Sequence, residues 1–167
     1  METSLRLDGE SKSLRIHAKQ KFPLDPKIHL QAHGEIDTTA GTPSCLALII
    51  RQFFPQQSTS IGVGLQLDKY GKLGYNIRGK KAFPVTSSGL FGFNIKGRCD
   101  LDKEFQKRKA SGGIELVWSI LNFQSNQDVR LKVGYEFFDE VPYLQLRENN
   151  WSLNADMKGR WNVRYDL

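Results

Sequence analysis

The sequence predicts an all-β fold of about twelve antiparallel strands that fill nearly the whole chain. Three observations carry this. Apolar and polar residues alternate with a period of two from end to end, the signature of two-faced strands. Proline, glycine and asparagine fall between the alternating runs, where a chain must turn. Lys, Arg, Asp and Glu keep to one phase of the alternation.

The strands are expected over 2–7, 13–22, 27–36, 44–54, 60–68, 72–80, 90–99, 112–122, 128–138, 141–147, 151–157 and 160–165. In the second, Leu14, Ile16 and Ala18 alternate with Arg15, His17 and Lys19. In the third, Ile28, Leu30 and Ala32 alternate with His29, Gln31 and His33. The fourth is almost continuously apolar from Cys45 to Ile50, which leaves its register open. Ile61 to Leu67 and Leu73 to Ile77 alternate with glycines and polar residues. So do Phe91 to Ile95 and Val129 to Tyr135. Trp151, Leu153 and Ala155, then Trp161, Val163 and Tyr165, complete the series. Pro23 and Pro26 share one turn, Pro43 precedes a strand, Pro55 follows one, Pro84 lies in a connection and Pro142 near a strand start. Proline has no N–H for a central ladder position, so strand ends suit it. Gly71, Asn126 and Asn149-Asn150 supply other turns. Asp100 to Ala110 is the longest connection and has room for one helical turn.

At 167 residues the chain suits one domain, 1–167. No run reaches the ~18–20 apolar residues of a membrane helix. With 39% hydrophobic and 11% aromatic residues, it is too apolar to stay disordered. Cys45 and Cys99 make no disulfide framework and no zinc or redox motif. Met1 to Leu7 has neither the apolar core of a secretory signal nor the length of a transit peptide. The chain is therefore expected to be cytosolic, or to enter its membrane without a cleaved presequence. No nucleophile elbow, zinc-protease or P-loop motif is present, and no enzyme or resident cofactor is expected.

The polar phase is strongly basic. It carries Arg6, Arg15, Lys19, Lys21, Lys27, Arg51, Lys72, Arg78, Lys80, Lys96, Arg98, Arg130, Lys132, Arg147, Arg160 and Arg164. Against these sixteen stand seven acids, Glu2, Glu35, Asp68, Glu115, Asp128, Glu136 and Asp156, whereas the whole chain is only +6. A two-faced sheet can turn its apolar side inward, as a soluble barrel, or outward to lipid. Strands of about ten residues joined by short turns fit a membrane barrel of even strand number. Trp118, Trp151, Trp161, Tyr75, Tyr135, Tyr165, Phe22, Phe54, Phe91 and Phe137 lie in the apolar phase, several at strand ends where an interfacial girdle sits. Twelve strands would also enclose a lumen wider than these side chains can fill as a core. The reading is a transmembrane antiparallel β-barrel with a basic lumen. A soluble barrel binding nucleic acid or another polyanion on a basic outer face is the alternative. A fatty-acid-binding barrel fits poorly, because the lumen phase is too charged for an apolar ligand.

A lumen lined by Lys and Arg concentrates anions and repels cations. The densest clusters are Arg78-Gly79-Lys80-Lys81 and Lys96-Gly97-Arg98. Gly62, Gly64, Gly74, Gly92 and Gly134 fall in the polar phase and would leave space there. His17, His29 and His33 share that phase. His29 and His33 are ~13 Å apart along a strand, too far for one metal ion. They are read as lumen groups that gain charge below pH ~6.5.

The chain resembles the small outer envelope pore proteins of plant chloroplasts. The segments that carry the resemblance are METSLR at 1–6, IHAK at 16–19, RGKKAFPV at 78–85, FNIKGRCD at 93–100, VPYLQLRENNW at 141–151 and KGRWNVRYDL at 158–167. The resemblance implies a rectifying, anion-selective channel in the chloroplast outer envelope. It would pass triose phosphates, phosphoglycerate and inorganic phosphate, with ATP binding in the pore and blocking it. It also implies a Phe-x4-Lys nucleotide pattern, found at Phe22–Lys27 and Phe91–Lys96. In the register above each Phe of that pattern faces lipid and only the Lys faces the lumen. The expected anion and ATP lining is Arg15, Lys19, Lys21, Lys27, Arg51, Arg78, Lys80, Lys96, Arg98, Arg130, Lys132, Arg147, Arg160 and Arg164. Arg78, Lys80, Lys96, Arg98, Arg130 and Lys132 are expected to form its main belt. The expected partners are these phosphorylated metabolites, ATP and the bilayer, without nucleic acid.

Overall fold

The computed structural model describes residues 1–106, 108–124 and 127–167, with the side chains of 121–124 and 127 left out. Twelve strands follow in order: β1 (Glu2–Asp8), β2 (Leu14–Asp25), β3 (Ile28–Asp37), β4 (Thr42–Phe54), β5 (Thr59–Asp68), β6 (Leu73–Pro84), β7 (Phe91–Asp102), β8 (Arg108–Gln124), β9 (Gln127–Glu136), β10 (Val141–Glu148), β11 (Trp151–Asp156) and β12 (Trp161–Asp166). A 3-10 turn at Pro55–Gln57 joins β4 to β5. Each strand pairs antiparallel with its sequence neighbour, and β1 pairs with β12, so the sheet closes as a barrel. Closure leaves no exposed strand edge, which a membrane wall requires.

An even number of strands puts both chain ends at one mouth. This terminal mouth also carries the turns at 26–27, 55–58, 85–90 and 149–150. The far mouth carries the turns at 9–13, 38–41, 69–72, 137–140 and 157–160 and the connection from β7 to β8. The turn expected at Asn126 lies outside the described residues.

The packing is inside out relative to a soluble protein. Among the described residues the buried apolar side chains are Ala47, Ile49 and Val141, whereas Ser4, Ser60, Asn76, Glu115 and Ser152 are buried polar groups. Leu48, Val63, Leu116, Trp118 and Trp151 are each half exposed on the outer wall. A wall apolar outside and polar inside is built for lipid, so the soluble arrangement with a basic outer face is not the one adopted. Aromatic side chains gather toward both rims. Trp151 packs on Tyr165 and Phe83 on Phe93 toward the terminal mouth, and Tyr75 stacks on Phe105 toward the far one.

Several elements differ from the sequence expectation. Strand β4 settles its register with Leu46, Leu48 and Ile50 outside and Ala47, Ile49 and Arg51 inside. Pro23, Pro43 and Pro84 fall within strands rather than between them. Pro23 and Pro43 sit beside ladder irregularities that excuse the missing N–H. No helical turn forms in 100–106. Strand β7 runs on to Asp102 instead, and the chain turns at Phe105, whose N–H donates to the Asp102 carbonyl. Strand β6 runs to Pro84, past the expected end, and so brings Lys81 into the apolar phase. There its Nζ lies 5.1 Å from the centre of the Phe83 ring, the posture of a lysine reaching toward the membrane interface.

Candidate pore lining

Because the side-chain period is two, every ladder neighbour of an inward residue also points inward. Inward residues therefore form rows that cross the wall from strand to strand. One row runs Ser111, Arg98, Arg78, Gly62, Arg51 and His29 across β8 to β3. A second runs Arg15, Arg6, Arg164, Ser152, Arg147, Arg130 and Ser119 across β2, β1, β12, β11, β10, β9 and β8. Ser111 and Ser119 are eight residues apart on β8, or ~26 Å. Each row thus climbs the lumen from the far mouth toward the terminal mouth on its own side of the barrel, as tilted strands require.

Twelve of the fourteen expected lining residues occupy inward strand positions: Arg15, Lys19, Lys21, Arg51, Arg78, Lys80, Lys96, Arg98, Arg130, Lys132, Arg147 and Arg164. Two do not. Lys27 is exposed in the turn between β2 and β3, because that strand starts one residue later than expected. Arg160 precedes β12 in a turn at the far mouth, where its Nε lies 2.7 Å from Asp156. Of the expected belt, Arg78 opposes Arg98 and Lys80 opposes Lys96 directly. Lys132 stands across β8, opposite Val117, and Arg130 lies a further step toward the terminal mouth.

The cations are not equally free. Lys96 Nζ is 2.6 Å from Glu115, Arg15 is 3.0 Å from Glu35, and Lys21 is 2.7 Å from Glu2. Arg98 is 2.8 Å from Asp100, and Arg147 and Arg164 share Asp166 at 3.0 and 2.7 Å. Among the described residues, Arg6, Arg51, Arg78, Lys80, Arg130 and Lys132 have no carboxylate partner. Arg78 donates to Asn76 Oδ1, Arg51 to Ser60 Oγ at 3.3 Å and Arg130 to Ser119 Oγ at 3.3 Å. These are neutral acceptors that orient the guanidinium without cancelling its charge.

The charge is also uneven along the axis. Lys21, Arg51, Lys80, Lys96, Arg130, Lys132, Arg147 and Arg164 all lie within five residues of their strand's end at the terminal mouth. At the far mouth β1, β3, β5, β7 and β11 each end in aspartate: Asp8, Asp37, Asp68, Asp102 and Asp156. Strand β9 ends there in Glu136.

Among the described residues, Phe53 and Tyr143 also stand inside, where the sequence reading placed no phenylalanine or tyrosine. Phe53 lies near the terminal mouth with the Arg51 guanidinium 5.4 Å from its ring centre and His29 edge-on at 5.3 Å. With Ser60 and Lys80 it lines a cavity of about 460 Å³. Tyr143 lies flat on Gly134. A β-carbon there would come within 2.3 Å of the ring, so this glycine accommodates a side chain rather than opening the lumen. The Tyr143 hydroxyl donates to Glu115 at 2.7 Å, and Lys96 Nζ sits 4.8 Å from its ring centre. Only the strand register could have shown that Tyr143 faces Gly134.

The three histidines face inward. His17 Nδ1 and His33 Nε2 are 3.2 Å apart, and His17 Nε2 is 3.2 Å from Glu35. His29 lies on another row, as its spacing implied. Cys45 faces the lumen opposite Glu35, and Cys99 faces outward opposite Ile77.

Comparison with known proteins gives one consistent result. A family model described as chloroplast outer envelope pore protein OEP21 matches residues 3–167. Outer envelope pore protein 21A, chloroplastic, of Arabidopsis thaliana is 56% identical over 167 residues, covering 100% of both chains. Outer envelope pore protein 21, chloroplastic, of Pisum sativum is 52% identical over 177 residues, again with full coverage of both. The protein of that name from Oryza sativa subsp. japonica is 45% identical over 185 residues with the same coverage.

Proposed function

The chain belongs to the chloroplast outer envelope pore protein 21 family, a β-barrel pore of that membrane, and from this premise we propose that it is an anion-selective, rectifying channel. Its cargo in this reading is small phosphorylated metabolites, such as triose phosphates, phosphoglycerate and inorganic phosphate. ATP binds within the lumen as a blocking ligand, and the work is passage rather than catalysis.

The observation that carries the reading is the set of luminal cations with no carboxylate partner. Arg51, Arg78, Lys80, Arg130 and Lys132 project into an aqueous interior walled by low-dielectric lipid, which strengthens their field. Arginine offers a planar fork to phosphate oxygens and lysine a movable point charge. Transport also requires weak binding, so that the anion leaves as readily as it enters. Side chains that meet an anion one or two at a time satisfy this. ATP carries more charge and reaches several of these cations at once, so it dwells and obstructs. Rectification follows from the basic half near the terminal mouth facing an acid-ended far mouth, because the two directions of entry meet different potentials.

The test is reconstitution of the refolded protein in a planar bilayer. A KCl gradient should give a reversal potential of the sign set by chloride, and ATP should reduce the current. A reversal potential near zero, or one set by potassium, would overturn anion selectivity. Current unchanged by millimolar ATP would overturn the block alone.

A further inference from the structure

We infer that Arg6, Arg164 and Arg15 form a binding site for a single phosphoryl dianion, inorganic phosphate or a phosphate monoester, on the wall where the barrel closes. The site rests on the anion-channel reading for its physiological use, but its geometry stands apart from the belt around Arg78 and Lys80.

Arg6 is directly opposite both Arg15 and Arg164 in the ladder. Opposed residues have Cα atoms only ~4.5–5.5 Å apart, and like charges placed so are destabilising. Nothing on the protein side resolves this crowding at its centre. Among the described residues Arg6 makes no hydrogen bond and no ion pair. Its Nε, and that of Arg15, are shut off from water without a hydrogen-bond acceptor. A buried donor left so costs free energy that an oxyanion would return. Arg15 gives one nitrogen to Glu35 at 3.0 Å, and Arg164 gives Nε to Asp166 at 2.7 Å. Arg147 shares that aspartate. The four guanidiniums of this stretch of the row are thus met by two carboxylates, which leaves two positive charges, the charge a phosphate dianion cancels.

There is room for the ligand. Arg6 and Arg164 line a luminal cavity of about 600 Å³ together with His17, Asn154 and Asn162. Asn154 donates to Asn162 Oδ1 at 2.8 Å, so the Asn162 amide keeps its own N–H groups for the cavity. Of the five carboxylates at the outer end of this cavity, three have hydrogen-bond partners, but among the described residues only Asp156 is paired with a cation. Asp8 accepts the Glu10 amide at 3.1 Å, Glu136 accepts that of Gly112, and Asp156 is held by Arg160 at 2.7 Å. The remaining two, Glu10 and Asp139, belong to far-mouth turns. The inner end of the cavity is cationic and the outer end acidic, so the arginines hold an anion at the inner end while the rim opposes its entry from the far mouth.

The test uses the full chain refolded in detergent micelles, with inorganic phosphate as the probe. Phosphate should bind saturably and raise the unfolding temperature above that in chloride of equal ionic strength. Arg6→Gln should weaken phosphate binding by roughly tenfold, the scale of losing a charge-assisted fork. In chloride alone Arg6→Gln should unfold at or above the wild-type temperature, since it removes a repelled charge. A purely structural Arg6 would instead make the variant less stable in both salts, and that result overturns the site. Phosphate binding unchanged in Arg6→Gln and in Arg164→Gln overturns it too. Should Arg6→Gln not fold, Arg164→Gln carries the same comparison, and failure of both to fold in chloride counts against the site. The wild-type reversal potential separates the two claims. Non-selective current with phosphate binding lost in Arg6→Gln overturns the channel reading and keeps the site. Anion-selective current with phosphate binding unchanged by either substitution does the opposite.

Discussion

At the far mouth five strands end in aspartate, and each of these carboxylates accepts a turn amide. Asp8 takes Glu10, Asp37 takes Thr39, Asp68 takes Tyr70 and Lys72, Asp102 takes Lys103, and Asp156 takes Lys158 and Arg160, at 2.7–3.1 Å. Gly71 then closes its hairpin with φ 73°, in the left-handed region where a side chain would be strained. The terminal mouth turns by other means. It uses Pro26, a 3-10 turn at Pro55–Gln57, the Thr86 hydroxyl accepting the Phe91 amide at 3.1 Å, and Asn149 with φ 43°. One mouth is tied down by charge and rimmed with acid. The other is backed by the basic half of the lumen, and its acids Glu2 and Asp166 pair with Lys21, Arg147 and Arg164. The difference teaches that turn chemistry and pore electrostatics are one design, because the residue that caps a hairpin also sets the local potential.

The comparison can be broken most directly through permeation. Replacing Arg78, Lys80 and Lys132 together with Gln should lower the anion-to-cation permeability ratio by roughly tenfold, read from the reversal potential. Replacing Asp68, Asp102 and Asp156 with Asn should leave that ratio within about twofold and change the rectification instead. If the aspartate set proves to govern selectivity, the assignment of roles to the two mouths is wrong.

Stability sharpens it next. Gly134→Ala pushes Tyr143 off the wall and away from Glu115, beside the far-mouth cavity. It should cost about 1–3 kcal/mol in urea unfolding, as overpacking does. Asp156→Ala should cost about 1 kcal/mol by freeing two turn amides and Arg160. Asp156→Asn keeps an acceptor for the amides, so it should recover most of that loss while still altering rectification. Equal destabilisation by Ala and Asn would show that the carboxylate charge, not its turn bonds, holds that hairpin. The smallest effect belongs to the terminal mouth, where Asn149→Gly should stay within about 0.5 kcal/mol of wild type, since glycine accepts the same positive φ.

Most of the wall was legible in the sequence because strand period and lipid contact impose the same rule on every second residue. Twelve lining cations followed from that rule alone. What stayed hidden depended on register between strands. In β4 both phases are apolar, so only pairing with its neighbours shows that Ala47 and Ile49 face inward. Arg6 was visible as a polar-phase residue, but its crowding between Arg15 and Arg164 exists only once the first and last strands meet. Lys27 and Arg160 were misplaced by one residue at strand ends, where a single step separates wall from rim. The Tyr143–Gly134 contact joins neighbouring strands through a glycine that reads, in sequence, as empty space.

The pairing of β1 with β12 sets Leu5 beside Tyr165, at opposite ends of the chain. Every other pair in the wall joins strands adjacent in sequence and can zip up as a hairpin. This last contact spans almost the entire chain, so it is the one pairing that no local hairpin can form. Until β12 arrives, both edges of the sheet carry unpaired amides and carbonyls that hydrocarbon cannot satisfy. A ribosome releasing the chain strand by strand would thus offer the bilayer nothing it could accept stepwise. Insertion and closure must be completed together, after synthesis has passed Asp166.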